Sequence, residues 1–177
     1  MKEKIEEKEL YEKAYIAIPV KESPLLDWIR SLNPEKQFVH MTFYFLGHIE
    51  EEQLNRIKPF VSKVSEKLVD TYLKPSRLAI IGQENKSFVA LLEDSPRLKE
   101  LRSFLENTLP QFKKINLPFT PHITIKNLGF DDIKSGNYDR FTSIPDKSDS
   151  IPPFYPTSIG TFYKVDGATA LLFSKKI

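Results

Sequence analysis

The chain carries one eight-residue frame twice. Residues 40 to 47 read HMTFYFLG and residues 122 to 129 read HITIKNLG, so His, Thr, Leu and Gly recur at the same offsets, 82 positions apart. Each frame is approached in the same way. A short apolar segment, YIAIPV (15 to 20) or SFVALLED (87 to 94), leads into Ser-Pro and a helical pattern. Ser23 and Ser95 can cap the helices SPLLDWIRSL and SPRLKELRSFLENTL. Pro24 and Pro96 then fill the first helical position, where a missing N–H costs nothing. Strand, capped helix and His-x-Thr strand thus occur twice in order, the mark of an internal duplication. The copies differ in spacing: 17 residues separate Ser23 from His40, and 27 separate Ser95 from His122. A chain patterned this way is expected to fold as two like halves.

The rest of the sequence fits around those halves. EEQLNRIKPFVSKVSEKLVD (51 to 70) places Leu54, Ile57, Val61, Val64 and Leu68 on one helical stripe, with Pro59 expected to kink the helix or move its start. YLKPSRLAIIG (72 to 82) reads as a further strand. Thr161–Val165 and Ala168–Phe173 read as a hairpin closed by Asp166-Gly167. Residues 130 to 153, rich in Asp, Ser, Gly and Pro, read as a long loop. Residues 1 to 13 read as a charged N-terminal extension, which leaves 14 to 177 as one domain, a common size for a single core.

Composition narrows the function. A net charge of +2 is too small for a protein that coats DNA, yet leaves room for a small anionic ligand. With no Cys there are no disulfides, no thiolate nucleophile and no Cys-ligated zinc, which fits a reducing compartment. No apolar run approaches the roughly 18 residues of a membrane span, and the first 13 residues lack the apolar centre of a secretory signal. A cytoplasmic monomer with no membrane contact is expected.

The histidines carry the chemistry. Alternation along a strand puts His40, Thr42 and Tyr44 on one face and Met41, Phe43 and Phe45 on the other. In the second frame His122, Thr124 and Lys126 share a face opposite Ile123 and Ile125. If the halves pack about a pseudo-twofold axis, the polar faces meet in one cleft. Two facing imidazoles suit phosphodiester cleavage: one takes the proton of the attacking water or hydroxyl, and the other protonates the departing oxygen. The Thr hydroxyls can hold the non-bridging oxygens and Lys126 can offset their charge.

Other chemistries fit less well. Zinc needs three or four ligands, and two histidines with no HExxH carboxylate do not supply them, so no metal or other cofactor is expected. There is no GxSxG elbow and no GxxxxGK phosphate loop. The third histidine, His48, reads as a surface turn residue.

The two frames, with YIAIPV ahead of the first and the Pro121-His122 join in the second, resemble the 2H phosphoesterases. Within them they resemble the RNA 2′,3′-cyclic phosphodiesterases once called 2′-5′ RNA ligases. The resemblance follows element order from residue 14 to 177, and its specificity lies in HMTF and HITI. It implies an α+β fold, bilobal and pseudo-twofold, with two antiparallel sheets lining a central cleft and helices outside. It also implies metal-free hydrolysis of a 2′,3′-cyclic phosphate on RNA ends, or of a related cyclic or 2′-5′ linked nucleotide. His40 and His122 would be the acid and base, in an order the motif does not assign, and Thr42 and Thr124 the phosphate holders. The chain departs from that family where Arg is usual: Tyr44 follows the first Thr, and Lys126 and Asn127 the second. Tyr44 is therefore a candidate to stack on a base or bond the phosphate, with Tyr163 beside Phe154, Tyr155 and Phe162 as further aromatic candidates. The alternative is an AMP-like nucleotide-binding module of the same fold without turnover.

Overall fold

The computed structural model describes residues 10–82, 84–109, 119–129 and 151–177. The strands are β1 (Leu10–Pro19), β2 (His40–Glu50), β3 (Pro75–Ile81), β4 (Ser87–Leu92), β5 (His122–Asn127), β6 (Ser158–Val165) and β7 (Ala168–Lys176). The helices are α1 (Pro24–Leu32), α2 (Glu51–Lys67) and α3 (Pro96–Thr108). Every pairing is antiparallel, in the order β3-β4-β5-β2-β1-β6-β7.

The duplication survives in atomic detail. Ser23 Oγ accepts from the Leu26 N–H and Ser95 Oγ from the Leu98 N–H, each at 3.3 Å, with Pro next in both helices. Such caps are worth about 1 kcal/mol each. The pairs Ala17–Thr42, Ile18–Met41 and Pro19–His40 of β1 and β2 have counterparts Val89–Thr124, Ala90–Ile123 and Leu91–His122 of β4 and β5. Where two separate sheets were expected, one hydrogen-bonded sheet is found. It narrows at its middle to a single pair, Met41–Ile123, where the halves meet edge to edge.

One face of that sheet is the core. Ile16, Ile18, Met41, Phe43, Ile123 and Ile125 are fully buried there, together with Leu25 of α1, Ile57 of α2 and Leu98, Leu101 and Leu105 of α3. Burying such a side chain contributes about 1.5–3 kcal/mol. In α2 the expected stripe is buried, and Gln53 Oε1 accepts from the Glu50 N–H at 2.8 Å to fix the start. The helix runs on through Pro59, which is exposed, so the carbonyl it leaves unpaired can meet water.

Several boundaries differ from expectation. Leu10 pairs with Glu50 and Tyr11 with Ile49, so residues 10–13 belong to the sheet rather than to an extension. Residues 1–9, and 130–150 of the expected loop, lie outside the described residues. His48 is exposed, but sits inside β2, which continues to Glu50, and not in a turn. The β6–β7 hairpin turns at Asp166 and Gly167, with φ of +49° and +77°, the paired left-handed residues that this turn requires. No described helix is long and apolar enough to cross a membrane.

Candidate active site

The Met41–Ile123 pair fixes the site. Continuing that antiparallel register by one residue each way sets His40 opposite Thr124 and Thr42 opposite His122. Directly opposed residues share a face, and this is the face away from the Met41 and Ile123 side chains. His40, Thr42 and Thr124 all line a cavity of about 500 Å³ there. That is large enough for a small-molecule ligand. His122 is outside the lining set, yet close enough for its charge to depress the affinity of His40 for a proton.

Beyond each Thr the strand does not alternate as expected. In β2 the pairing passes from Ala17–Thr42 to Ile16–Tyr44, leaving Phe43 as an extra residue. In β5 it passes from Val89–Thr124 to Phe88–Lys126, leaving Ile125 extra. Both frames therefore carry a bulge three residues after the His, and a bulge reverses the faces that follow. Tyr44 falls opposite the core residue Ile16, and Lys126 opposite the core residue Phe88. Phe45 and Asn127 take the places on the cavity wall. The alternation that put Lys126 and Tyr44 on the cleft face is corrected accordingly. Tyr44 still borders the cavity but is 1% exposed, and its hydroxyl donates to the Leu109 carbonyl at 3.1 Å. Lys126 is outside the lining set.

The aromatic candidates divide by face. Phe162 is paired with Tyr15 on the cavity side, whereas Tyr163 points the other way and meets Tyr11 edge-on at 5.0 Å. The structure does not bring Tyr163 to the cavity. Phe154 is buried beside Leu73, and Tyr155 is exposed against Tyr72. Phe38 was missed, although strand alternation places it on the face of His40. Its ring stacks on the imidazole at 4.6 Å, with Tyr15 at 5.2 Å and Phe162 packed on both aromatic rings.

That aromatic shell governs the electrostatics. Burial pushes the His40 pKa down to about 4, and the charges of Lys36, Lys164 and His122 push the same way, against a smaller upward pull from the Phe38 backbone. His40 Nδ1 is buried and no group of good hydrogen-bond geometry reaches it. His122 is held differently: its Nδ1 lies 2.8 Å from the Thr120 carbonyl. A carbonyl can only accept, so Nδ1 carries a proton and Nε2 is the free nitrogen.

The cations come from outside both frames. Lys13, Lys36, Arg102 and Lys164 line the cavity, and among the described residues no acidic side chain does. Lys13 reaches it from an irregular stretch of β1 with φ +50°. Burial, and then the charge of Lys164, lower the pKa of Lys36. Arg102 is occupied: it pairs with Glu106, donates to the Phe43 carbonyl, and lies 4.8 Å from the Tyr44 ring centroid and 5.1 Å from that of Phe119. Among the described residues no three His, Asp or Glu side chains converge as metal ligands.

No family model and no curated protein matches the sequence. Solved structures do match. Apo LigT of E. coli superposes with TM-score 0.60 at 18% identity, over 95% of this chain and 98% of LigT. The LigT complex with 3′-AMP gives 0.58 at 17%, over 96% and 99%. TT0787 of Thermus thermophilus gives 0.54 at 15%, over 93% and 97%. A structure described as a phosphoesterase gives 0.53 at 14%, over 94% and 98%. The likeness at such low identity is one of fold: the chain is α+β and folded like LigT and TT0787.

Proposed function

We propose that this protein is a metal-independent phosphodiesterase that hydrolyses 2′,3′-cyclic phosphate RNA ends, or related cyclic or 2′-5′ linked nucleotides. The observation that carries the reading is the seam itself. Two His/Thr pairs face one another across Met41–Ile123, beside a cavity that, among the described residues, is lined by cations and by no carboxylate.

His40 is uncharged at neutral pH and is assigned as the base. It takes a proton from water as the water oxygen bonds to phosphorus. His122, held through Nδ1 by Thr120, is assigned as the acid and gives an Nε2 proton to the departing sugar oxygen as that P–O bond breaks. Thr42 and Thr124 donate to the non-bridging oxygens, where negative charge grows. Phe45 and Asn127 contact the rest of the nucleotide, and the positive charge of the cavity draws in an anionic ligand.

The test is an assay of the purified chain against 2′,3′-cyclic mononucleotides and 2′-5′ dinucleotides in excess chelator. Hydrolysis that persists with chelator supports the two-imidazole scheme, and loss on chelation reinstates a metal. Tight binding of AMP with no turnover of any substrate in the panel would favour the non-catalytic module instead.

A further inference from the structure

Lys36 and Lys164 stand together without the partner that such a pair normally has. Both line the cavity, both act on His40, and the charge of Lys164 is felt by Lys36. Lys36 lies in the segment between α1 and β2, and Lys164 near the end of β6, so the fold brings them together from 128 positions apart in sequence. Lys164 donates to the Thr169 hydroxyl at 2.9 Å, and its ammonium lies 6.0 Å from the Tyr15 ring centroid. Neither lysine has a carboxylate partner among the described residues. Lys36 is partly buried and loses hydration, and the like charge of exposed Lys164 adds to that cost, so an anion bound between the two relieves it.

The reacting diester supplies one negative charge, and the two threonines and His122 already converge on it. We propose that Lys36 and Lys164 form a second phosphate site, making the preferred ligand a nucleotide that carries a phosphate on O5′ besides the one at the histidines. The O5′ phosphate has two sources with the same chemistry: a terminal 5′-phosphate, or the linkage to the preceding nucleotide of an RNA chain. A cavity of about 500 Å³ has room for a nucleotide with both phosphates.

This deepens the proposed function and rests on it, but its test reads binding rather than turnover, so the two fail separately. Dissociation constants are measured by calorimetry for adenosine 3′-monophosphate, adenosine 3′,5′-bisphosphate and a dinucleotide 3′-monophosphate. The wild-type chain is expected to bind the bisphosphate at least tenfold more tightly than the monophosphate, with the gain shrinking as salt rises. In Lys36→Met/Lys164→Met that ratio is expected to fall towards one. A dinucleotide that shares the gain marks the site as reading an RNA chain, and a gain confined to the bisphosphate marks a terminal phosphate. Equal wild-type affinities for monophosphate and bisphosphate overturn the proposal without using any variant. A ratio that survives the double substitution in a folded protein overturns it as well.

Discussion

Asn33, the residue that ends α1, donates its side-chain N–H to the Ile125 carbonyl at 2.9 Å. The contact crosses from the first half of the duplication to the bulge of the second. Arg102 of α3 makes the reciprocal contact, donating to the carbonyl of Phe43 at the bulge of the first. A bulged residue leaves the ladder, so its carbonyl needs another partner. Here each half's helix segment supplies one to the other half's His-x-Thr strand.

Loss of either clamp is expected to loosen the frame it serves. Asn33→Ala should cost about 1 kcal/mol and Arg102→Met roughly 2–3 kcal/mol, because the second removes a charged donor. Urea unfolding checks the midpoints at constant slope. Under conditions where both variants are fully folded, turnover should also fall. Unchanged turnover in folded Asn33→Ala would show that the clamp stabilises the chain without positioning His122 and Thr124.

The four frame residues should separate into two classes of loss. His40→Ala and His122→Ala should each lower kcat by about 10²–10⁴, the usual contribution of a positioned acid or base. Thr42→Val and Thr124→Val should cost up to about 10²–10³ by removing one donor to the charged oxygens. Steady-state kinetics on a 2′,3′-cyclic nucleotide measures all four. Near-normal hydrolysis by His40→Ala would remove it from the chemistry.

The duplication, the caps, the apolar stripe of α2 and the closing hairpin were all legible in the sequence, because each rests on spacing or on residues with a strong local preference. The bulges were not. Phe43 and Ile125 are ordinary strand formers, and nothing in their identity marks one residue too many. One unseen residue per frame was enough to bring Phe45 and Asn127 to the cavity wall, to turn Lys126 off it and to set Tyr44 opposite the core residue Ile16. The cations were hidden for a different reason. Lys36, Arg102 and Lys164 sit in a connection, a helix and a hairpin, and only the tertiary fold puts them beside His40 or Tyr44. Lys13 reads as tail because the charged run before it masks the start of β1.

The exchange of faces is itself testable. Phe45→Ala and Asn127→Ala should raise KM with smaller effects on stability, since both side chains line the cavity. Tyr44→Phe should cost about 1 kcal/mol by deleting the bond to Leu109, with KM nearly unchanged. The reverse pattern in unfolding and kinetics would put Tyr44 back on the ligand.

Acid should destabilise this fold through His40. Its folded pKa of about 4 lies below the ordinary 6.5, so between those values the unfolded chain binds more protons. Stability is therefore fully present above pH 6.5 and is lost as pH falls towards 4, by about 3 kcal/mol at most. His40→Gln should flatten the stability curve in that window. An unchanged slope in urea titrations from pH 7 to pH 4 would mean that His40 ionises as freely in the folded state as in the unfolded one.

The same depressed affinity should appear in catalysis. With His40 as the base, kcat/KM for a minimal cyclic nucleotide should hold as pH is lowered and decline only near His40's own pKa in the free enzyme, about 4. Lys36 is one of the charges that hold the value down, so Lys36→Met should move this acid limb to higher pH. Phe38→Ala should do the same by opening the ring to water. An acid limb that neither Lys36→Met nor Phe38→Ala moves would mean that the ionisation of His40 does not limit the reaction.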